Sequence, residues 1–320
     1  LQLRRGGIDA PILVIGPPNL AQVELALQQS IQLTVSTEDS LAAVVNTTDR
    51  IGTPATIHVK VDTGLHRYGA MPALAVDLVR RLHETPGVTV EGIYTHFSSS
   101  DEENPEPTLA QIRVMRSVIQ QLKSEEILPS LVHVANSAAI LTKHYSETNM
   151  VRAGIATYGL DPSSEVPVEE GFRQILELKS VLSRQFILEA GESVSYNRAY
   201  TAEEDHPAGT VPIGYADGIE RHLSNAGWFV VGGTRSRILG RVCMDQTVIR
   251  VPEEAMEGDE VTIIGSRESG AMTVADVGAL CQTNTYEPVV RLAARVPRIF
   301  IRDGAPSSWS LPLLGERGTF

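Results

Sequence analysis

Met150-Val-Arg-Ala-Gly-Ile-Ala-Thr-Tyr-Gly-Leu160 is the stretch on which the fold turns, because the chain reads as one kind of protein before it and another after it. Upstream, apolar runs alternate with amphipathic helical segments; downstream, short β-rich runs are separated by Gly and charged turns. At the seam, Arg152 sets a fixed cation two residues before Gly154, whose missing side chain lets a ligand approach the backbone. The plain structural alternative is a buried strand carrying one paired arginine.

Working back from the seam, a unit of short β-branched run, loop and helix repeats from Pro11 onward, the pattern of parallel βα construction. Strands are expected at 12–15, 32–35, 56–61, 90–97, 131–134 and 150–156. Helices are expected at 20–29, 39–45, 73–83 and 108–123, with a shorter helical turn at 137–143. Polar residues gather where these strands end. Lys60 and Asp62 share one face by the two-residue period, as do Tyr94 and His96, and Asn136, Ser137 and Arg152 fall at the ends of the next two. In a parallel barrel the catalytic face lies at the strand C-termini, so the clustering reads as an active-site rim. Six strands do not close the usual eight. The chain opens Leu1-Gln-Leu-Arg-Arg5 as if inside a helix, so the expected fold is a (β/α)8-type barrel without its first two βα units.

Working forward, runs at 176–187, 210–215, 228–231, 237–242, 247–251 and 261–264 describe a β-rich module, with short helices at 274–281 and 287–294. The tail from Asp303 reads as poorly ordered. The expected domains are therefore a barrel over residues 1–171 and a C-terminal β domain over 172–320.

Composition narrows the function. A net charge of −12 and a pI near 5.2 argue against nucleic acid as a partner. Two cysteines, Cys243 and Cys281, form neither a disulfide framework nor a C-x-x-C metal pair, which suits a reducing cytoplasm. No apolar run approaches the ~20 residues of a membrane span. No G-x-G-x-x-G follows a strand, and there is no P-loop, G-x-S-x-G elbow or H-E-x-x-H. Hydride transfer, kinase chemistry and serine hydrolysis lose ground together.

Several longer stretches then carry the reading further. His58-Val-Lys-Val-Asp-Thr-Gly-Leu-His-Arg-Tyr-Gly69, Glu91-Gly-Ile-Tyr-Thr-His-Phe97, His133-Val-Ala-Asn-Ser137, the seam itself, Val194-Ser-Tyr196, Pro212-Ile-Gly-Tyr-Ala-Asp-Gly218, Gly240-Arg-Val-Cys-Met-Asp-Gln246 and Tyr286-Glu287 resemble, in order, the signatures of the alanine racemases. The resemblance runs from about residue 2 to about residue 302. It implies a barrel joined to a β domain, pyridoxal 5'-phosphate (PLP) as cofactor, and interconversion of L- and D-alanine for peptidoglycan. Racemisation removes Hα from one face and returns a proton to the other, so two bases are required, with PLP accepting the electron pair. The resemblance implies a PLP-binding lysine as one base and Tyr196 as the other. A free phenol has a pKa near ~10, so Tyr196 needs a cationic setting, which the family pattern supplies through His96 beside Arg152.

The same resemblance assigns Arg152 to the pyridine nitrogen, where an obligate cation keeps that nitrogen unprotonated and limits the ring as an electron sink. It assigns the phosphate to the Ser137 hydroxyl, the Gly154 and Ile155 N–H groups and the Tyr286 hydroxyl. Tyr94 also belongs to the implied cofactor-binding set. Arg67, with the Met244 N–H, is implied for the cofactor phenolic oxygen and the substrate carboxylate. Lys60 matches a lysine often carbamylated in the family, and Tyr215 matches a tyrosine lining a narrow entrance. A homodimer with shared active sites is implied. Nothing in the chain matches the segment bearing the PLP lysine: the four lysines are Lys60, Lys123, Lys143 and Lys179. The expectation is a racemase-type chain that does not turn over alone. The alternatives are a non-catalytic PLP-binding or scaffold protein and, more remotely, a metal-dependent hydrolase using Asp62, His96 and Asp101.

Overall fold

The computed structural model describes residues 1–143 and 148–320, which form two compact units, Leu1–Gly154 and Ile155–Phe320. In the first, after a short helix α1 (Gln2–Arg5), five strands lie parallel in the order β1 (Ile12–Val14), β2 (Ile31–Val35), β3 (Ala55–Lys60), β4 (Val88–Tyr94) and β5 (Leu131–His133). Helices α2 (Val23–Gln28), α3 (Glu38–Ile51), α4 (Pro72–His83) and α5 (Glu106–Ser124) fall between them, and α6 (Ser137–Thr142) follows β5.

Local chemistry sets these boundaries. Helix α3 begins with a capping box in which Thr37 and Ser40 satisfy each other's free N–H groups, and it ends at Gly52 with φ 65. Helix α4 opens with Pro72 at its first turn. On α5, Met115, Ile119 and Leu122 are buried at the helical spacing that the sequence displays. Central strand β3 is buried at Ala55 and from Ile57 to Lys60, as expected of a parallel strand covered on both faces.

A sixth strand over 150–156 does not form, so the parallel sheet has five strands among the described residues rather than the expected six. The seam runs beside β5, with Asn149 N–H bonded to Val132 O at 3.1 Å and Arg152 N–H to Ala135 O at 2.9 Å, but only Met150 makes a bridge, to His133. The Asn149 carboxamide takes a ladder position instead, accepting from Val132 N–H at 2.8 Å. The chain then turns into a 3-10 segment, Ile155–Tyr158. Residues 155–171 group with the second unit, where Ile155 and Leu160 share a core with Leu178, Val211 and Phe229.

That second unit is β-rich. β6 (Leu178–Val181) and β7 (Arg184–Leu188) belong to different sheets, so the single run expected at 176–187 breaks at Leu182, which is buried at the crossing. A short hairpin, β8 (Ser193–Val194) with β9 (Tyr200–Thr201), precedes β10 (His206–Val211), β11 (Trp228–Val231), β12 (Thr234–Arg237), β13 (Thr247–Arg250) and β14 (Glu260–Ile264). The sheets are ordered β13-β10-β7 and β12-β11-β14-β6, followed by α7 (Val274–Leu280) and α8 (Tyr286–Arg291). The tail is not loose. β15 (Arg298–Arg302) and β16 (Ala305–Leu311) pair across Asp303-Gly304, both at positive φ, and β17 (Glu316–Thr319) completes a three-stranded meander. An Asp-Gly pair between two β runs is the sequence signal for such a turn.

Candidate active site

Polar side chains of the first unit collect at the C-terminal ends of β3, β4 and β5. Lys60 closes β3 and is 1 % exposed. Its ammonium lies 3.7 Å from the Tyr68 ring centroid and donates to Tyr68 O at 2.5 Å. Burial and then the Arg67 charge push its pKa down to about 8, only partly opposed by Asp62. Arg67 itself is exposed, on a loop between a bridge that pairs Val61 with Ala70. Asp62 shapes this loop by accepting from the N–H groups of Gly64 at 2.9 Å and His66 at 3.1 Å. Burial opposes ionisation of Asp62, but those two bonds and the neighbouring His66 and Lys60 outweigh it and hold the carboxyl below its usual range. Gly69 closes the loop at φ 140, where a Cβ would sit 2.8 Å from Asp62 N. Asp62 thus spends its carboxylate on the loop, and among the described residues no group of three or more His, Cys, Asp or Glu side chains is placed to hold a metal ion.

Arg152 reaches back from the seam across the ends of β4 and β5. Its guanidinium donates to the carbonyls of Thr95 (2.7 Å), His133 (2.8 Å) and Val134 (3.1 Å), to His133 Nδ1 at 3.0 Å and to His96 Nδ1 at 3.3 Å. Every one of these partners is neutral. Burial lowers its pKa to about 10, which leaves it charged at neutral pH. The imidazole of His96 stays neutral, its pKa brought to about 4 by burial and by Arg152, Arg67 and Lys60.

Behind Arg152 lies a relay that sequence reasoning missed. An arginine can only donate, so His133 Nδ1 must accept and its proton sits on Nε2. That proton faces His58 Nδ1 at 2.9 Å, and His58 in turn donates from Nε2 to Gln32 Oε1 at 3.1 Å. The direction of every bond in the row Arg152, His133, His58, Gln32 is therefore fixed. Burial lowers the pKa of His58 to about 4, and burial with the Arg152 and His58 charges lowers that of His133 to about 3. His58 and His133 sit on β3 and β5, two strands apart, and meet because Gly92 lies between them on β4. A Cβ there would fall 2.2 Å from His58 Nδ1. The available signal was a lone histidine inside each of two apolar strands.

Tyr94, fully buried, stacks on His133 with ring centroids 4.6 Å apart and planes at 10°. Its hydroxyl donates to Ile15 O at 2.5 Å and lies 2.8 Å from Thr34 Oγ1, and burial raises its pKa above the ordinary phenol value. Tyr94 thus packs against the relay and bonds to Ile15, just past the end of β1. Ser137, the first residue of α6, accepts the Gly154 N–H at 2.9 Å, and a Cβ at Gly154 would lie 3.6 Å from Ser137 Oγ. These two residues form a small, open cradle in which a Cβ at position 154 would make an ordinary contact with Ser137 Oγ alone. Ile155 opens the 3-10 segment just beyond.

The second unit carries the remaining candidates. Tyr196 sits on the tip between β8 and β9 and is 70 % exposed. Tyr215 and Met244 are joined through one backbone segment: Tyr215 N–H donates to Cys243 O at 2.9 Å and Ala216 N–H to Met244 O at 2.8 Å. Gly214 allows this approach, since a Cβ there would lie 2.3 Å from Cys243 O. Tyr286 begins α8, its N–H capped by Asn284 Oδ1 at 3.0 Å.

The fit to PLP can be judged from the donor set. A half-buried arginine surrounded only by neutral acceptors, two more cations at Lys60 and Arg67, and a hydroxyl and N–H beside an absent side chain suit an anionic phosphate-bearing group. Comparison with known proteins places the chain in a family of PLP-dependent isomerases that act on amino acids. The model of the alanine racemase N-terminal domain matches residues 1–162 and that of the C-terminal domain residues 175–300; the chain belongs to the alanine racemase family. It is 40 % identical over 308 residues to the alanine racemase of Geobacillus kaustophilus, spanning 95 % of this chain and 78 % of that one. Among solved structures it resembles the alanine racemase from Bacillus anthracis with bound L-Ala-P (33 % identity, TM-score 0.88, covering 97 % and 80 % of the two chains). It also resembles that from E. faecalis (37 %, TM-score 0.86, 91 % and 78 %). No helix among the described residues is long and apolar enough to cross a membrane.

Proposed function

We propose that the protein acts as a cytoplasmic, PLP-dependent alanine racemase, with residues 1–171 as the cofactor domain and 172–320 as the domain that presents Tyr196. The observation that carries this reading is Arg152, a half-buried cation held only by neutral groups beside the Ser137–Gly154 cradle. Arg152 would face the ring nitrogen, while Ser137, Gly154, Ile155 and Tyr286 would hold the phosphate. Arg67, steadied by the Asp62 loop, would take the substrate carboxylate together with the Met244 N–H. Bound PLP supplies an electron sink for the charge left at Cα when the proton departs.

Tyr196 is the base that takes and returns the proton on one face of Cα, and Tyr215 narrows the entrance to suit a methyl side chain. In a homodimer, Tyr196 and Met244 of one protomer serve the cradle of its partner. Lys60 has the partly neutral amine that reaction with CO₂ requires, and its carbamate would turn a cation beside Arg67 into an anion.

A second reading is favoured by the lysines. Lys60 lies under Tyr68, Lys143 caps α6, Lys123 is in the last turn of α5, and Lys179 is paired with Glu260 at 2.9 Å. On this second reading the chain holds PLP without a lysine bond and does not racemise. Adding PLP to the purified chain should give saturable binding that Arg152→Gln weakens, no lysine peptide trapped by borohydride, and no D-alanine. In D₂O, alanine should exchange Cα–H with retention, from one enantiomer only, and Tyr196→Phe should abolish this. A trapped lysine peptide overturns the second reading; absence of saturable binding overturns both.

A further inference from the structure

Tyr196 rides on a backbone that L-residues rarely adopt. Ser195 has φ 69 and ψ 172, Asn197 has φ 60 and ψ 24, and Arg198 has φ 49. The Ser195 conformation is taken freely by almost nothing but glycine, and such strain persists only where the surroundings over-determine it.

The surroundings do so at both shoulders of the tip. Ser195 Oγ donates to Arg241 O at 2.9 Å and accepts from Arg241 N–H at 2.9 Å, so one hydroxyl supplies both bonds of a ladder rung. On the far side of Tyr196, Ala199 O accepts from Asn225 Nδ2 at 2.9 Å, while Asn225 Oδ1 accepts from Gly240 N–H at 2.7 Å. The approach is close enough that a Cβ at Gly240 would lie 2.6 Å from Ser195 Cβ. Strands β8 and β9, of two residues each, are too short to fix such a tip unaided. The phenol makes no hydrogen bond among the described residues, so its direction is set from the backbone.

We propose that Ser195 is the positioning residue for Tyr196, its hydroxyl clamping the hairpin tip to Arg241 so that the phenol projects in one direction, with Asn225 as the second clamp. The inference rests on the reading of Tyr196 as the proton-transferring base, but its test reads the tip itself. The competing view, that position 195 merely tolerates a tight turn, makes the opposite demand: glycine should then serve at least as well as serine.

The experiment uses the full chain labelled with 3-fluorotyrosine, the residue 196 resonance being assigned with Tyr196→Phe, and needs neither cofactor nor substrate. Ser195→Gly and Ser195→Ala should each move that resonance toward free fluorotyrosine. Each should also speed tryptic cleavage after Arg198 at least ten-fold without changing the melting temperature of the second unit. Asn225→Gly should act in the same direction from the other shoulder; Asn225 lies at φ 57, so glycine adds no strain there, and it stands in should Ser195→Ala fail to fold. A Ser195→Gly chain with the wild-type resonance and cleavage rate overturns the proposal. Failure of the base reading shows elsewhere, as undiminished Cα–H exchange in Tyr196→Phe, and leaves the tip result as measured.

Discussion

Gly92→Ala is a one-methyl change that should cost the first unit several times the usual effect of such a change. The added Cβ would lie 2.2 Å from His58 Nδ1 and 2.5 Å from Cε1, against an ordinary contact of 3.4 Å or more. The His58 ring must therefore shift by more than the slack in its 2.9 Å bond to His133. Overpacking of this kind costs about 1–3 kcal/mol. Leaving the buried His133 N–H without an acceptor costs about 1–3 kcal/mol more. Alanine's better strand entropy returns only about 0.5–1 kcal/mol. The net expectation is a loss of about 3 kcal/mol, confined to the unit that contains β3, β4 and β5. Hydrogen exchange of the strand amides, read by mass spectrometry, measures it, and imidazole ¹⁵N shifts report whether the relay survives. Because the clash has one named partner, His58→Ala placed in the Gly92→Ala background should recover part of the loss. A Gly92→Ala chain destabilised by less than about 1 kcal/mol with the His58–His133 bond intact would refute the reasoning.

Other outcomes follow from the same site. His58, His96 and His133 have folded pKa values of about 4, 4 and 3, below the unfolded value of 6.5. Between pH 6.5 and about 4 the unfolded chain therefore binds more protons, and the first unit should lose up to about 1.4 kcal/mol per pH unit for each histidine as pH falls. Urea midpoints at pH 7.5, 6 and 5 check this, and a flat profile contradicts it. Gly154→Ala, whose methyl would sit over Ser137 Oγ, should weaken PLP binding about ten-fold, roughly 1.4 kcal/mol, while shifting stability by under about 0.5 kcal/mol. Absorbance titration decides it, and unchanged affinity would remove the cradle from the phosphate site. With ¹³C-bicarbonate at pH 8, a carbamate carbonyl resonance should appear and vanish in Lys60→Arg.

Periodicity made the βα alternation, the buried stripe of α5 and the β-rich character of the second half legible from sequence alone. Register was not legible, and much of the site depends on it. His58 meets His133 only because the β3–β4 pairing slips by one residue between Ile57 and His58, bringing Gly92 opposite His58. The seam looked like a strand because Met150, Val151 and Ile155 are apolar, but the Asn149 carboxamide replaces a ladder rung there. Arg152 also occupies the carbonyls of His133 and Val134. The tail differs from the expected loose end because Asp303-Gly304, a turn signal present in the sequence, lets β15 fold back on β16. Lys60, His96 and Ser137 stand at or shortly past strand ends, where polar residues show in the sequence, whereas Arg67, well beyond the end of β3, is marked only by the motif that carries it; Ser195 and Asn225 act through backbone partners, which leave no pattern along the chain.

The backbone from Gly240 to Met244 holds the Tyr196 tip through Arg241 and the Tyr215 turn through Cys243 and Met244. Two side chains mounted on one rail move in common mode. A displacement of the rail carries both phenols together, leaving their separation intact while changing their distance to everything else. Substitutions along it should thus alter Tyr196 and Tyr215 by correlated amounts, so that double variants fall short of the sum of the singles.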